Sequence, residues 1–100
     1  MFIAMNRFKI ATGHETGFED MWRRRETHLN GVPGFREFHL LRGPTEGEAT
    51  LFASHTVWDS RVAFDAWTNS DAFRNAHMSA QAPEGMYLGP PHFEGFDVVL

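Results

Sequence analysis

The sequence contains no cysteine. A disulfide scaffold, a thiolate metal site and a cysteine nucleophile are therefore excluded, although the missing cysteine does not identify a compartment. No apolar run approaches the length of a membrane-spanning helix, and the N-terminus lacks the charged and apolar segments of a signal peptide. We therefore expect a cytoplasmic protein that does not insert into membranes.

Basic residues are also scarce. The net charge is −4, and acidic residues flank the basic run 23–25. This balance argues against a nucleic-acid partner, because such proteins carry an excess of positive charge on one surface. The chain has no glycine-rich phosphate loop, no G-x-S-x-G motif and no closely paired carboxylates, which argues against nucleotide enzymes and hydrolases.

Aromatic residues are abundant, with ten Phe and three Trp against one Tyr. A chain of 100 residues predicts a single domain spanning 1–100. At this size roughly 65% of the unfolded chain's surface can be buried, which is enough for one core. So many aromatic side chains indicate a stiff core, a pocket for a flat ligand or a subunit interface.

Hydrophobic periodicity predicts seven elements. They are strands over 2–10, 35–42, 49–58 and 92–100, a helix over 14–29, a short helix capped by Asp59 or Ser60, and a second one from Asn69 or Ser70 to about Ser79. A turn is predicted over 43–47. The loop 80–91 carries apolar residues that suit either a flap over a pocket or packing against a partner subunit.

The order β-α-β-β-α-α-β predicts an α+β, ferredoxin-like fold, with an antiparallel sheet and helices on one face. Both faces of the middle strands carry apolar residues. A chain this short offers no second layer, so we expect the other sheet face to be covered by a second copy. The predicted assembly is a homodimer whose sheets form a dimeric α+β barrel.

Asn6 lies between Ala4 and Phe8 on the apolar face of the first strand. A buried amide without partners costs about 1–3 kcal/mol, so something must satisfy it. One interpretation is a hydrogen bond to the backbone inside the core. The other is a polar group directed into a ligand cavity.

His77 follows Phe73 by four residues, close to the end of a predicted helix. It is either a charged group at a helix C-terminus or a ligand of haem iron, for which imidazole is the usual protein donor. The remaining histidines show no close metal-ligand spacing. They are His14, His28, His39, His55 and His92.

Trp67 lies on the helix before His77, and is either a core residue or part of a pocket wall. Arg25 lies on the apolar stripe of the first helix, beside Trp22 and Phe18. Such an arginine either extends to solvent from the helix edge or binds a carboxylate in a cleft.

The chain resembles the IsdG-type haem-degrading monooxygenases, within the antibiotic biosynthesis monooxygenase superfamily of dimeric α+β barrels. The segments that carry the resemblance cover nearly the whole chain, and the third is the most specific. They are MNRFKI, VPGFREFHLLR, TVWDSRVAFDAWTNSDAFRNAH and LGPPHFEGFDVVL.

The resemblance implies that haem is both substrate and cofactor, held between the helices and the sheet. The family's functional trio of asparagine, tryptophan and histidine matches Asn6, Trp67 and His77. His77 would bind the iron through Nε2, Asn6 would hydrogen-bond near the oxygen site, and Trp67 would press on the porphyrin and ruffle it. Trp22 matches a bulky pocket residue, and Arg25 a basic residue that meets a propionate. O2 and an external reductase would supply oxidant and electrons, and iron would be released.

Three other functions remain open. A cofactor-independent monooxygenase acting on a flat aromatic substrate would share the fold but needs no axial histidine. A non-enzymatic haem-binding protein would use His77 but gives Asn6 and Trp67 less to do. A dimeric barrel whose aromatic residues only pack would bind no ligand.

Overall fold

The computed structural model describes residues 1–24, 29, 31–71, 73 and 83–100. The helices and strands are, in chain order, β1 (Phe2–Ala11), α1 (Glu15–Arg24), β2 (Phe35–Glu46), β3 (Ala49–Trp58), α2 (Arg61–Thr68) and β4 (His92–Asp97). Within these described ranges, no helix combines the length and the apolar character needed to cross a membrane.

The strands form one antiparallel sheet in the order β2-β3-β1-β4. Asn6 on β1 pairs with Ser54 on β3 and with Phe93 on β4, and Ser54 pairs with Leu40 on β2. Directly opposed residues point to the same sheet face, so these four residues form one row across the sheet. The strand order confirms the predicted α+β, ferredoxin-like fold.

Both helices cover the same face of the sheet. The Phe18 ring of α1 lies 5.5 Å from the Phe8 ring and 4.8 Å from the Phe52 ring, centroid to centroid. The Phe64 ring of α2 lies 5.4 Å from the Phe2 ring. Phe2 and Phe8 are an even number of residues apart on β1, so they share a face with Asn6.

The core on this face consists of two clusters of buried side chains. The Phe18 cluster contains Phe8, Ile10, Phe18, Phe52 and Met86. The Trp58 cluster contains Phe2, Ala4, Leu29 and Trp58. Burying a large apolar side chain contributes about 1.5–3 kcal/mol, so these clusters hold the helices on the sheet. The row of Asn6 and Ser54 lies between the two clusters.

The β2–β3 hairpin differs from its predicted form. The predicted turn at 43–47 is wrong, because β2 continues to Glu46 and the chain reverses at Gly47, which has φ +60°. The pairing register shifts between Arg42 and Thr45. Pro44 lies in this irregularity on an edge strand, the position in a sheet that tolerates a residue without a backbone N–H.

The C-terminal strand is shorter than predicted. It ends at Asp97 rather than at residue 100, because β1 begins at Phe2 and Phe2 already pairs with Asp97. The Val98 N–H donates to the Met1 carbonyl at 2.9 Å, and the last two residues are exposed.

The described part of the 80–91 loop is attached to the sheet. Met86 is 1% exposed within the Phe18 cluster, and its carbonyl accepts a hydrogen bond from Ala11 N–H. The Leu88 N–H donates to Lys9, and Tyr87 forms a β-bridge with Ile10. Met86 is therefore a core residue, and the two interpretations of the loop, as a flap over a pocket or as a contact with a partner subunit, stay predictions. Residues 80–82 lie outside the described residues.

Capping fixes the starts of the short helices. The Ser60 hydroxyl accepts a hydrogen bond from Ala63 N–H at 3.2 Å and caps α2. The Ser70 hydroxyl accepts one from Phe73 N–H, also at 3.2 Å. Asp71 and Phe73 are helical. The remainder of this predicted helix, and the end of the first predicted helix at 25–28, lie outside the described residues.

Candidate ligand site on the helix-covered face of the sheet

Asn6 introduces an amide into an otherwise apolar strand face. It is half-buried between Ala4 and Phe8, both of which are buried. Within the part of the chain that the structure describes, its side chain forms no hydrogen bond. The core hydrogen bond that was one interpretation of Asn6 is therefore not formed there. The amide keeps its donors and acceptor for another molecule, on the row that separates the two clusters.

Trp67 packs at the edge of the Trp58 cluster through its ring. Its centroid lies 5.5 Å from that of Trp58 and 4.7 Å from that of Phe73, and the Phe73 ring is perpendicular to it. The Trp67 Nε1 atom is buried and has no hydrogen-bond partner among the described residues. An unsatisfied buried donor costs about 1–3 kcal/mol, which a ligand acceptor or a water molecule would recover.

Trp22 covers the other side of the Asn6 row. Its ring is stacked on Phe38 of β2, with centroids 5.6 Å apart and ring planes 23° apart. Its edge meets Phe8 at 6.1 Å and Phe18 at 6.2 Å. Phe38 also packs against the Trp58 cluster, so this stacked pair connects the two clusters across β2 and β3.

A cleft of about 470 Å³ opens between α1 and the β2–β3 pair. Its walls are aromatic or aliphatic, and charged side chains complete its lining. The apolar residues are Trp22, Phe38, Leu40 and Phe52, and the charged ones are Glu19, Arg23 and Arg42.

Ion pairs connect the charged side chains of the cleft. Arg42 Nη1 lies 3.1 Å from Glu19 Oε2, and Arg23 Nη2 lies 3.5 Å from Glu19 Oε1. Arg23 also pairs with Asp20 at 2.6 Å. The Arg42 guanidinium carbon lies 5.8 Å from the centroid of Phe52, in reach of a cation–π interaction. Glu19 is thus shared between two guanidinium groups.

One carboxylate, that of Glu15, fixes the start of α1. Glu15 accepts hydrogen bonds from Gly13 N–H at 2.7 Å and from the fully buried Thr50 hydroxyl at 2.8 Å. Its own backbone N–H, then the Thr50 hydroxyl and the Gly13 N–H, hold the pKa of the Glu15 carboxyl below its usual 4.5. This network attaches α1, which carries Trp22, to the β2–β3 hairpin.

The predicted site residues thus divide into two groups. Asn6, Trp22 and Trp67 lie on the helix-covered face of the sheet, where their positions suit one ligand site. Arg25 and His77 lie outside the described residues, and their predicted roles stay predictions. Among the described residues, no group of three or more histidine or acidic side chains could hold a metal ion.

Glu19, Arg23 and Arg42 are not among the site residues that the sequence predicts. Two signals were available: Glu19 and Arg23 are one helical turn apart, and Arg42 shares a strand face with Leu40. Neither signal alone shows that α1 faces β2. That relation follows only from the strand order, which places β2 at the edge of the sheet.

Known proteins resemble this chain over most of its length. A haem oxygenase from Staphylococcus haemolyticus, described as staphylobilin-producing, is 28% identical over 79% of this chain and 75% of its own. A mycobilin-producing haem oxygenase from Mycobacterium tuberculosis is 34% identical over 80% of this chain and 73% of its own.

Solved structures agree with this relation. The haem-degrader MhuD from Mycobacterium tuberculosis, with two haems bound in its active site, has a TM-score of 0.75 at 30% identity and covers 100% of this chain and 97% of its own. Residues 1–79 match the sequence model of the family described as antibiotic biosynthesis monooxygenase. The chain therefore belongs to the antibiotic biosynthesis monooxygenase family.

Proposed function

We propose that this protein is a haem-degrading monooxygenase that binds haem as substrate and cofactor, opens the porphyrin ring and releases the iron. The observation that carries the proposal is the half-buried Asn6 amide, which has no hydrogen bond within the described residues and lies between two aromatic clusters. A flat apolar ligand with a polar centre suits this arrangement. The haem oxygenases similar to this chain support the same assignment.

The residues present fit a porphyrin. Trp22 and Trp67 supply aromatic walls at the two sides of the Asn6 row, and Trp67 has a buried indole N–H to satisfy. Aromatic faces and edges pack well against a π-system. Haem, when bound, supplies the iron at which O2 is reduced and the ring carbons that are oxidised.

Each predicted site residue has a proposed role. His77, which follows Phe73 by four residues in the sequence, would bind the haem iron. Asn6 would donate or accept a hydrogen bond near the oxygen site, and Trp67 would press on the porphyrin. Trp22 packs against the ring, and Arg25 pairs with a propionate.

The proposed activity requires partners. Electrons come from an external donor or reductase. We propose that residues 1–100 act as one domain, that two copies form a homodimer, and that the protein works in the cytoplasm. Apolar side chains on the sheet face opposite the helices, Leu41 among them, support the homodimer.

A titration with hemin tests this proposal directly. The expected result is a Soret band that saturates at one equivalent, and that disappears when ascorbate or a reductase is added in air as iron becomes available to a chelator. A band that forms but persists would instead indicate a non-enzymatic haem-binding protein. No band at all would favour a cofactor-independent monooxygenase of a flat aromatic substrate, or a protein without a ligand.

The His77→Ala variant tests the axial ligand, with His92→Ala as the matched control because His92 is exposed on β4. We expect His77→Ala to lose the ferric Soret band of the wild type and His92→Ala to keep it, while circular dichroism shows both to be folded. An unchanged band and full turnover in His77→Ala would assign the iron to another residue.

A further inference from the structure

We propose that the cleft between α1 and β2 binds the carboxylate-bearing edge of the substrate, with Arg42 as the anchoring residue and Glu19 as a competing anion. This inference rests on the proposed function and deepens it. It adds a second basic anchor for the anionic groups at the edge of a flat ring, besides the one proposed for Arg25.

The size and the walls of the cleft suit part of a flat ligand. Its volume of about 470 Å³ falls within the ordinary range of small-molecule sites, roughly 300–1,000 Å³. The stacked rings of Trp22 and Phe38 and the side chains of Leu40 and Phe52 supply an apolar surface. Such walls with a few charged groups at one side are typical of sites that orient an amphipathic molecule.

The charge of the cleft differs from that of the chain. The protein carries a net charge of −4, yet the cleft lining contains two guanidinium groups, Arg23 and Arg42, and one carboxylate, Glu19. Arg42 makes its ion pair with Glu19 through Nη1, at 3.1 Å. A guanidinium has five N–H donors, and the Arg42 side chain is 52% exposed, so it retains donors for a second carboxylate.

The sheet register fixes the distance between Arg42 and Asn6. Arg42 pairs with Phe52, and Phe52 pairs with Phe8, which is two residues from Asn6 on β1. Two strand spacings and two residues along a strand separate the Arg42 and Asn6 Cα atoms by roughly 12 Å. A tetrapyrrole with carboxylates on one edge is wide enough to contact both side chains at this separation.

Hemin and its dimethyl ester separate the carboxylates from the rest of the ligand, because the ester differs only in having its two propionates neutralised. We expect the wild-type protein to bind hemin more tightly than the ester in Soret titrations. The variant Arg42→Gln should bind hemin about threefold to fivefold more weakly and the ester equally well, as expected for the loss of a partly exposed charged contact.

Glu19→Gln tests the same site, and it should change the affinity for hemin in the opposite direction. Removing the carboxylate frees Arg42 and takes away a negative charge, so hemin should bind about twofold to threefold more tightly. The affinity for the ester should not change. Misfolding cannot produce this result, because a damaged protein does not gain affinity for one ligand alone.

Arg36→Gln is the matched control. Arg36 lies on the same strand, is exposed, pairs with Asp59 and does not line the cleft. It removes the same charge from the chain, so the ratio of hemin to ester affinity should stay at the wild-type value. A general electrostatic effect would instead lower this ratio in Arg36→Gln and Arg42→Gln alike, and would overturn the proposal.

Two further results would also overturn it. One is a hemin-to-ester ratio in Arg42→Gln that equals the wild-type ratio, in a protein that binds hemin and degrades it; the proposed function would then stand and the anchoring role would fail. The other is wild-type protein that binds neither ligand, in which case the proposed function and this inference fall together.

Discussion

Trp58 and Trp67 lie side by side, with ring centroids 5.5 Å apart, but their indole N–H groups have different surroundings. Trp58 is fully buried, and its Nε1 donates to the Thr56 hydroxyl at 3.0 Å. Trp67 is half-buried, and its buried Nε1 has no partner among the described residues. The first tryptophan therefore gains a stabilising hydrogen bond, whereas the second keeps an unpaired donor whose burial lowers the stability of the ligand-free protein.

The pair makes a matched test of stability. Trp58→Phe should lower the free energy of unfolding by about 1–2 kcal/mol more than Trp67→Phe does, because only Trp58 loses a hydrogen bond with its indole ring. Urea denaturation of the two apo variants measures this difference. Equal losses, or a larger loss in Trp67→Phe, would show that the Trp67 N–H is satisfied in the folded protein.

The same Trp67→Phe variant tests the effect of this residue on the porphyrin. Phenylalanine keeps a ring and most of the apolar volume, so hemin should still bind at one equivalent. The haem-methyl NMR shifts should move toward those of a flatter ring, and the turnover or the product ratio should change with them. If binding, shifts and products all match the wild type, Trp67 only packs.

Asn6→Ala should separate binding from turnover. Its amide has no hydrogen bond in the described structure, so its removal should change the free energy of unfolding by no more than about 1 kcal/mol. We expect the variant to bind hemin and to degrade it at least tenfold more slowly, an effect of the size of a lost transition-state hydrogen bond. A melting curve serves as the folding control. Wild-type turnover in a folded Asn6→Ala protein would reduce Asn6 to a packing residue.

At the scale of an element, the start of α1 depends on an ionised carboxylate. Glu15 has a pKa held below 4.5 by hydrogen bonds that favour its charged form. Its contribution to stability is therefore complete above pH 4.5 and is lost as the pH falls through the lowered folded-state value. Glu15→Gln lacks this contribution at every pH.

The expected outcome is a melting temperature for Glu15→Gln that lies below the wild-type value at pH 7 and approaches it below about pH 4.5. The matched control is Glu48→Gln, since Glu48 lies exposed at the neighbouring turn. Its melting curve should run parallel to that of the wild type across the same range. A constant gap between Glu15→Gln and wild type down to low pH would mean that the charge of Glu15 is not what stabilises the helix.

The elements that the sequence predicts well are those whose signals are local. The bounds of β3, Ala49–Trp58, match the prediction because alternating side chains and flanking turn residues mark both ends. The bounds of β2 do not, because a proline in a short glycine-containing segment suggests a turn unless its strand is known to be at an edge. The burial of Met86 could not be predicted for a similar reason, since nothing nearby in the sequence shows that Phe18 and Ile10 leave space for its side chain.

In the candidate site too, the features that local sequence signals mark could be predicted, and those that depend on distant elements could not. The positions of Asn6 and Trp22 on the helix-covered face could be predicted, because an amide stands out on an apolar strand face and Trp22 lies on the apolar stripe of a helix. Arg42 could not, because its partner Glu19 lies on an element distant in sequence. The distance between Arg42 and Asn6 depends on two strand pairings. The sequence of a single strand predicts neither which strands pair nor the register in which they pair.

At the scale of the whole molecule, the described helices all lie on one face of the sheet, and no described helix covers the other face. The second face carries Ile3 and Val57 as opposed neighbours, with Phe96 beside Ile3 on β4. Leu41 and Phe96 are 41% and 44% exposed in the single chain. Exposed apolar side chains such as these two are a common sign of a protein interface, and a second copy of the same sheet is complementary to this face by symmetry.

Light scattering after size exclusion tests this assembly. The wild-type mass should be twice the chain mass of 11.4 kDa, because burying the second sheet face favours association. Leu41→Glu would place a carboxylate in that interface, where an unpaired charge is costly, so this variant should shift toward the mass of one chain at micromolar concentration. Val62→Glu is the control, since Val62 is 77% exposed on α2, on the helix side of the sheet, and this variant should keep the dimer mass. A dimer that survives Leu41→Glu but is lost in Val62→Glu would place the interface on the helices, and the two sheets would then not form a shared barrel.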